Sequence, residues 1–118
     1  MTTSNANVFS QLMAVIEDRK TNPPERSYTT ALFQGGVPKI GDKIIEEAAE
    51  IVEAASEAPA TRTQHVTAEA ADLIYHMFVL LGHLDIPLSH LETELQNRFG
   101  ISGLDEKAAR TQKGNPNE

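Results

Sequence analysis

The sequence predicts an all-α fold, a helical bundle of about four to five helices, and two observations carry that expectation. Apolar residues recur at three- and four-residue intervals in one segment after another, and no stretch alternates apolar with polar residues over the length of a strand. Proline or glycine closes the segments, and neither an internal repeat nor a low-complexity tract interrupts them.

Val8, Phe9, Leu12, Val15 and Ile16 mark a first helix over about Val8 to Lys20, stopped by Pro23 and Pro24. The stretch SYTTALFQGGVP, from Ser27 to Pro38, is rich in hydroxyls and closed by Gly35 and Gly36, and reads as a capped turn of helix or an ordered loop. Ile40, Ile44, Ala48, Ile51 and Ala55 define a strong helix from about Lys39 to Glu57, which the segment APATRT with Pro59 is expected to end. Thr63 or Thr67 then offers the N-cap of a helix running to about Leu84. Asp85 and Pro87 open a further helix, Leu88 to Phe99, which Gly100 terminates, and a last short helix is expected from about Leu104. Residues 1–110 are expected to form one domain and 111–118 a disordered tail.

The chain has 118 residues and no cysteine, which removes disulfides, thiolate metal ligands and cysteine nucleophiles together and leaves oxygen or imidazole to hold any metal. Seventeen acidic against ten basic residues give a formal charge of −7, which argues against nucleic acid or an anionic membrane as a partner. The polar start MTTSNANVFSQLM lacks the features of a signal peptide, and no run of about 18 uncharged apolar residues follows. A cytoplasmic location is therefore expected.

Chemistry enters with EEAAE at 46–50 and EAAD at 69–72. Each sets carboxylates three apart on one helix, where like charges cost a few tenths of a kcal/mol per pair. In the second of these helices Leu73, Ile74, Met77, Phe78, Val79, Leu80, Leu81 and Leu84 spread around nearly the whole circumference, as in a central helix. Its polar residues His65, Glu69, Asp72, His76 and His83 fall within an arc of about 60°. Antiparallel packing of the two helices brings Glu47 and Glu50 opposite Glu69 and Asp72. Ionised carboxylates that close take up protons or bind cations, and all-oxygen ligation suits Mg²⁺ or Mn²⁺. The alternative is that each stripe is the solvated face of an amphipathic helix. No Glu-x-x-His occurs, which argues against a di-iron bundle, and His76 reads as a group behind the ligands, a phosphate-side group or a structural histidine.

Taken in order, SYTTALFQGG, KIGDKIIEEAAEIVEAA, EAADLIYHMFVLL and SGLDEKAAR resemble the phosphoribosyl-ATP pyrophosphatases of histidine biosynthesis over nearly the whole chain. The E-E-x-x-E and E-x-x-D core is similar to that of the wider MazG-like all-α nucleoside triphosphate pyrophosphatases, while the other segments look like the histidine-pathway branch. Two positions depart from the family pattern: Ile45 and Arg26 stand where glycine is usual.

The resemblance implies Mg²⁺-dependent hydrolysis of the α–β phosphoanhydride of phosphoribosyl-ATP, with Mn²⁺ as a substitute. It makes Glu47, Glu50, Glu69 and Asp72 the metal ligands and Glu46 an auxiliary ligand or water-orienting base. Lys39 and Lys43, one turn apart, would reach the triphosphate, unless they only pair with Glu46 and Glu47. Ser27, Tyr28 and Thr29 would donate to phosphate or ribose, Ser27 serving equally well as an N-cap. Lys107 and Arg110 would add cations, from the same subunit or a partner. A homodimer that completes the bundle is expected from the apolar surface and from the family. Two other readings stand beside this one: a pyrophosphatase that clears free nucleotides such as dUTP or dCTP, and a non-catalytic helical dimerisation module.

Overall fold

The computed structural model describes residues 7–100. They form four helices: α1 (Val8–Thr21), α2 (Tyr28–Ala54), α3 (Pro59–His83) and α4 (Leu88–Phe99), with no strand among the described residues. The expected helix from Leu104, the tail at 111–118, Lys107 and Arg110 lie outside the described residues. Two compact units divide the chain, one ending at Ile86 and one beginning at Pro87.

In the first unit α2 packs along α3 and α1 lies against both. Asn7 caps α1, its side-chain oxygen accepting from the backbone N–H of Phe9 at 2.8 Å and of Ser10 at 3.3 Å. Met13 and Ile16 of α1, Leu32, Ile40 and Ala54 of α2, and Phe78 and Val79 of α3 form the buried core. Between α1 and α2, Arg26 holds φ at 64°, a left-handed conformation that explains why glycine suits this place.

The hydroxyl-rich segment is helical, which resolves the two readings left by the sequence. Ser27 caps it, its Oγ accepting from Thr30 N–H at 3.1 Å. At Gly36 the backbone breaks to φ 70° and ψ −165°, a region essentially reserved for glycine, and Pro38 follows in the first turn of the resumed helix, where its missing N–H costs nothing. Before the break, residues 28 and 29 meet His76 and Tyr75 while Phe33 stacks on His83, so this arm runs in the same sense as α3. After it, Glu47 and Glu50 approach Glu69, and Glu57 reaches His65, so the longer part runs against α3. Gly36 therefore turns the chain back on itself.

Pro59 does not end a helix but starts one. Its fixed φ fits the first helical position, so α3 begins five residues earlier than a cap at Thr63 allows and nine earlier than one at Thr67, and α2 stops at Ala54. At the other end of α3, Ile86 N–H bonds Leu81 C=O at 2.9 Å and Asp85 N–H bonds Gly82 C=O at 3.1 Å, a Schellman motif with Asp85 at φ 60°. Lys20 completes it. From the last turn of α1 its Nζ donates to the carbonyls of Gly82 at 2.9 Å and His83 at 3.2 Å and pairs with Asp85 at 2.7 Å. Replacing Lys20 by Met is expected to cost about 1–2 kcal/mol in urea unfolding, the usual scale for charge-assisted hydrogen bonds.

The apolar girdle of α3 is only partly covered: Phe78 and Val79 are buried, whereas Met77 and Leu84 remain exposed. No single helix among the described residues is long and apolar enough to cross a membrane. In the second unit, α4 ends at Gly100, whose φ of 59° gives the left-handed cap expected of it, and Arg98 pairs with Glu94 one turn away at 2.6 Å.

Candidate active site

Helix period and the α2–α3 packing bring three acids together. One carboxylate oxygen each from Glu47, Glu50 and Glu69 lies within 4.8 Å of the others. Glu47 is 7% exposed, and its Oε1 and that of Glu69 are buried with no hydrogen-bond partner. Buried polar atoms are seldom left so, because each costs about 1–3 kcal/mol. The donor set is hard oxygen only, and it suits a divalent cation of the Mg²⁺ or Mn²⁺ type. Asp72 stays outside this group and is exposed, although its charge still bears on Glu47.

Contact with Glu69, then burial, then the charges of Asp72, Glu50 and Glu69 push the Glu47 carboxyl up to about 7 from 4.5. Glu50 is raised as well, through Glu69 and burial. Glu69 is lowered, first by its contact with Glu47, with Glu50 and His65 contributing further. The metal-free fold thus binds more protons than the unfolded chain between about pH 4.5 and 7, and its stability falls as pH rises through that window. His65, raised by Glu57, acts in the same direction. Urea unfolding in a chelator at pH 5, 6, 7 and 8 is expected to show this decline, whereas divalent-cation affinity should climb with pH as the ion displaces the proton.

The arm before Gly36 lies against the same part of α3. His76 is buried and both ring nitrogens are occupied: Nδ1–H donates to the Asp72 carbonyl at 2.8 Å, and Nε2 lies in hydrogen-bond contact with the Tyr28 hydroxyl, 2.9 Å away. The ring thus lies between the Asp72 carbonyl and the Tyr28 hydroxyl. Thr29 is likewise engaged, bonding the hydroxyl of Tyr75. Lys43 sits 3.4 Å from Glu46, and Tyr28 and then Glu46 hold its ammonium above the usual lysine range. Lys39 is exposed and its stem folds over Gly35, where a Cβ would fall 2.5 Å from Lys39 Cδ. Glu46 and Lys43 face solvent beside the cluster, and Ser27 is committed to its cap.

Glu57 escaped the sequence reading, which places His65 only on the polar arc of α3. His65 touches Glu69 at 3.3 Å through Nε2 and Glu57 at 2.5 Å through Nδ1. The i,i+4 spacing of His65 and Glu69 was visible, but Glu57 reaches them from the turn after α2, which no periodicity marks. A groove of about 380 Å³ lined by Ala55, Arg62, Thr63, Val66 and Thr67 shares no residue with the cluster.

Among the described residues the fold is all helical, and it sets a carboxylate triad, with Glu47 buried and Glu50 and Glu69 half-buried, between two helices. Residues 9–99 match the family model described as phosphoribosyl-ATP pyrophosphohydrolase. Proteins named phosphoribosyl-ATP pyrophosphatase are similar throughout: that of Rhodopirellula baltica is 48% identical over 89% of this chain and 88% of its own length. That of Trichlorobacter lovleyi is 46% identical over 91% and 96%, and that of Geobacter sulfurreducens 42% identical over 90% and 95%. The chain belongs to the phosphoribosyl-ATP pyrophosphohydrolase family.

Proposed function

We propose that this chain hydrolyses phosphoribosyl-ATP to phosphoribosyl-AMP and pyrophosphate, a step of histidine biosynthesis, using Mg²⁺ with Mn²⁺ as a substitute. The observation that carries the reading is the triad Glu47, Glu50 and Glu69 with its two buried, unpartnered oxygens, in a chain whose relatives bear that enzyme's name. These three would hold the ion, with Asp72 as the fourth acid at the rim. Bound there, a divalent cation would supply Lewis-acid stabilisation of phosphate charge and an acidified water.

The remaining chemistry belongs to the protein. Water adds to phosphorus at the α–β bridge, that P–O bond breaks, and pyrophosphate leaves. Lys43 takes a phosphate oxygen, and in doing so gives up Glu46, 3.4 Å away, which becomes free to accept a proton from the attacking water. Lys39 adds a second cation one turn earlier. Ser27, Tyr28 and Thr29 present the start of α2 to the substrate, and His76 holds Tyr28 in register. Lys107 and Arg110 are assigned to the substrate phosphates by the family resemblance alone.

Apolar side chains left open on the single chain, Ile45 at 71% and Val52 at 69% on α2 with Met77 on α3 and Leu84 at its C-cap, support a homodimer. A small nucleotide substrate and the lack of cysteine suit the cytoplasm, and the charge of −7 suits neither nucleic acid nor an anionic membrane as partner. Phosphorus NMR of the reaction is the test. Pyrophosphate and a monophosphate product are expected. Orthophosphate and a diphosphate product would place the cut at the β–γ bond and overturn the assignment.

A further inference from the structure

We infer that His65 is a positioning residue for the acidic cluster: anchored by Glu57, it fixes one oxygen of Glu69 and thereby presents the other to Glu47 and Glu50. The inference rests on the cation site proposed above, but His65, Glu57 and Thr61 take no part in the hydrolysis step described there.

A continuous chain of contacts leads to Glu69. Thr61 donates its hydroxyl proton to Glu57 Oε1 at 2.9 Å. Glu57 Oε2 lies 2.5 Å from His65 Nδ1, and Nε2 on the far side of the ring lies 3.3 Å from Glu69 Oε2. Thr61, His65 and Glu69 follow one another at four-residue intervals along α3, so they share one face, and Glu57 closes the chain from the turn before the helix.

The consequence is a division between the two oxygens of Glu69. Oε2 faces the His65 ring, 3.3 Å from Nε2, whereas Oε1 is buried with no partner, as is Oε1 of Glu47. A free glutamate side chain gives up roughly 1.5–2 kcal/mol of rotamer entropy when it is fixed. Here the fixing is done by the ring before any ion arrives, which is how groups behind a metal ligand raise affinity. Lys43, one turn before Glu47, is turned to Glu46 instead.

His65 is 45% exposed at its side chain, so replacing it leaves the core intact. The test is a Mn²⁺ titration of the full chain without nucleotide, free Mn²⁺ being read by electron paramagnetic resonance. His65→Ala is expected to weaken Mn²⁺ about 10–100-fold, the scale for groups behind metal ligands. His65→Gln, which returns an N–H near the place of Nε2, should recover a large part of that loss, and Glu57→Ala should weaken binding less than His65→Ala. Unchanged affinity in folded His65→Ala protein overturns the inference, as does a loss that His65→Gln does not reduce. If His65→Ala fails to fold, Glu57→Ala decides by the same comparison. Glu47→Gln, run alongside, separates the two readings: if it weakens Mn²⁺ and His65→Ala does not, only the positioning role falls. If neither changes the affinity, the cation site itself is elsewhere.

Discussion

Glu47→Gln is expected to lower kcat by about 10³-fold or more while leaving the metal-free protein as stable as the parent or more so. The loss follows from removing the most buried of the three carboxylates, the one whose Oε1 has no other partner. Loss of one preorganised group that stabilises transition-state charge typically costs about 10²–10³, and a displaced cation costs more. The stability arm has the opposite sign because the parent carries a penalty there. Glu47 is crowded by Glu69, Glu50 and Asp72, which is why its carboxyl is pushed up to about 7. A neutral amide removes that repulsion, and its N–H can serve the buried Oε1 of Glu69. Steady-state kinetics with Mg²⁺ and thermal unfolding in a chelator measure the two arms. Full activity, or collapse of the metal-free fold, would contradict them.

Gly36→Ala is expected to destabilise by about 2–3 kcal/mol, lowering Tm by about 8–15 °C for a chain of this size. The cause is conformational, since nothing lies closer to a Cβ built at Gly36 than Pro38 Cδ at 3.8 Å. At φ 70° and ψ −165° an L side chain is strained whatever the space around it. The effect should extend to function. Gly36 folds the arm back on α3, and that fold sets Tyr28 against His76 and within electrostatic reach of Lys43. A partly relaxed turn should therefore raise KM more than it lowers kcat, because the triad Glu47, Glu50 and Glu69 lies beyond the turn and stays assembled. An Ala variant as stable as the parent would show that the turn is not held in this conformation.

How much of this was legible depends on how local each interaction is. The triad was legible because the period of 3.6 fixes which residues share a face, so Glu47, Glu50 and Glu69 point toward each other as soon as two helices pack antiparallel. Asp72 shares the face of Glu69 in that arithmetic, yet it lies one turn further along and stays exposed outside the group. Ser27 declared itself as a cap, but the reversal at Gly36 did not, because Gly-Gly signals only that the chain changes course and not which way. Pro59 was misread since the same residue ends one helix or begins the next, and its own φ fits the second role. Lys20 could not be read at all: the carbonyls it caps are 62 and 63 positions away. His76 shows the limit in another form. Its place on the polar arc was correct, but only the packed structure reveals that Tyr28 and the Asp72 carbonyl use both its nitrogens.

The most direct measurement is pyrophosphate release by the full chain in Mg²⁺, with phosphoribosyl-ATP, ATP, dUTP and dCTP compared at equal concentration and each repeated in excess chelator. Strong preference for phosphoribosyl-ATP, abolished by the chelator, is the expected result. Preference for a free nucleotide would keep the carboxylate site but contradict the substrate, and silence on all four would leave the acidic stripes as the solvated faces of a helical module.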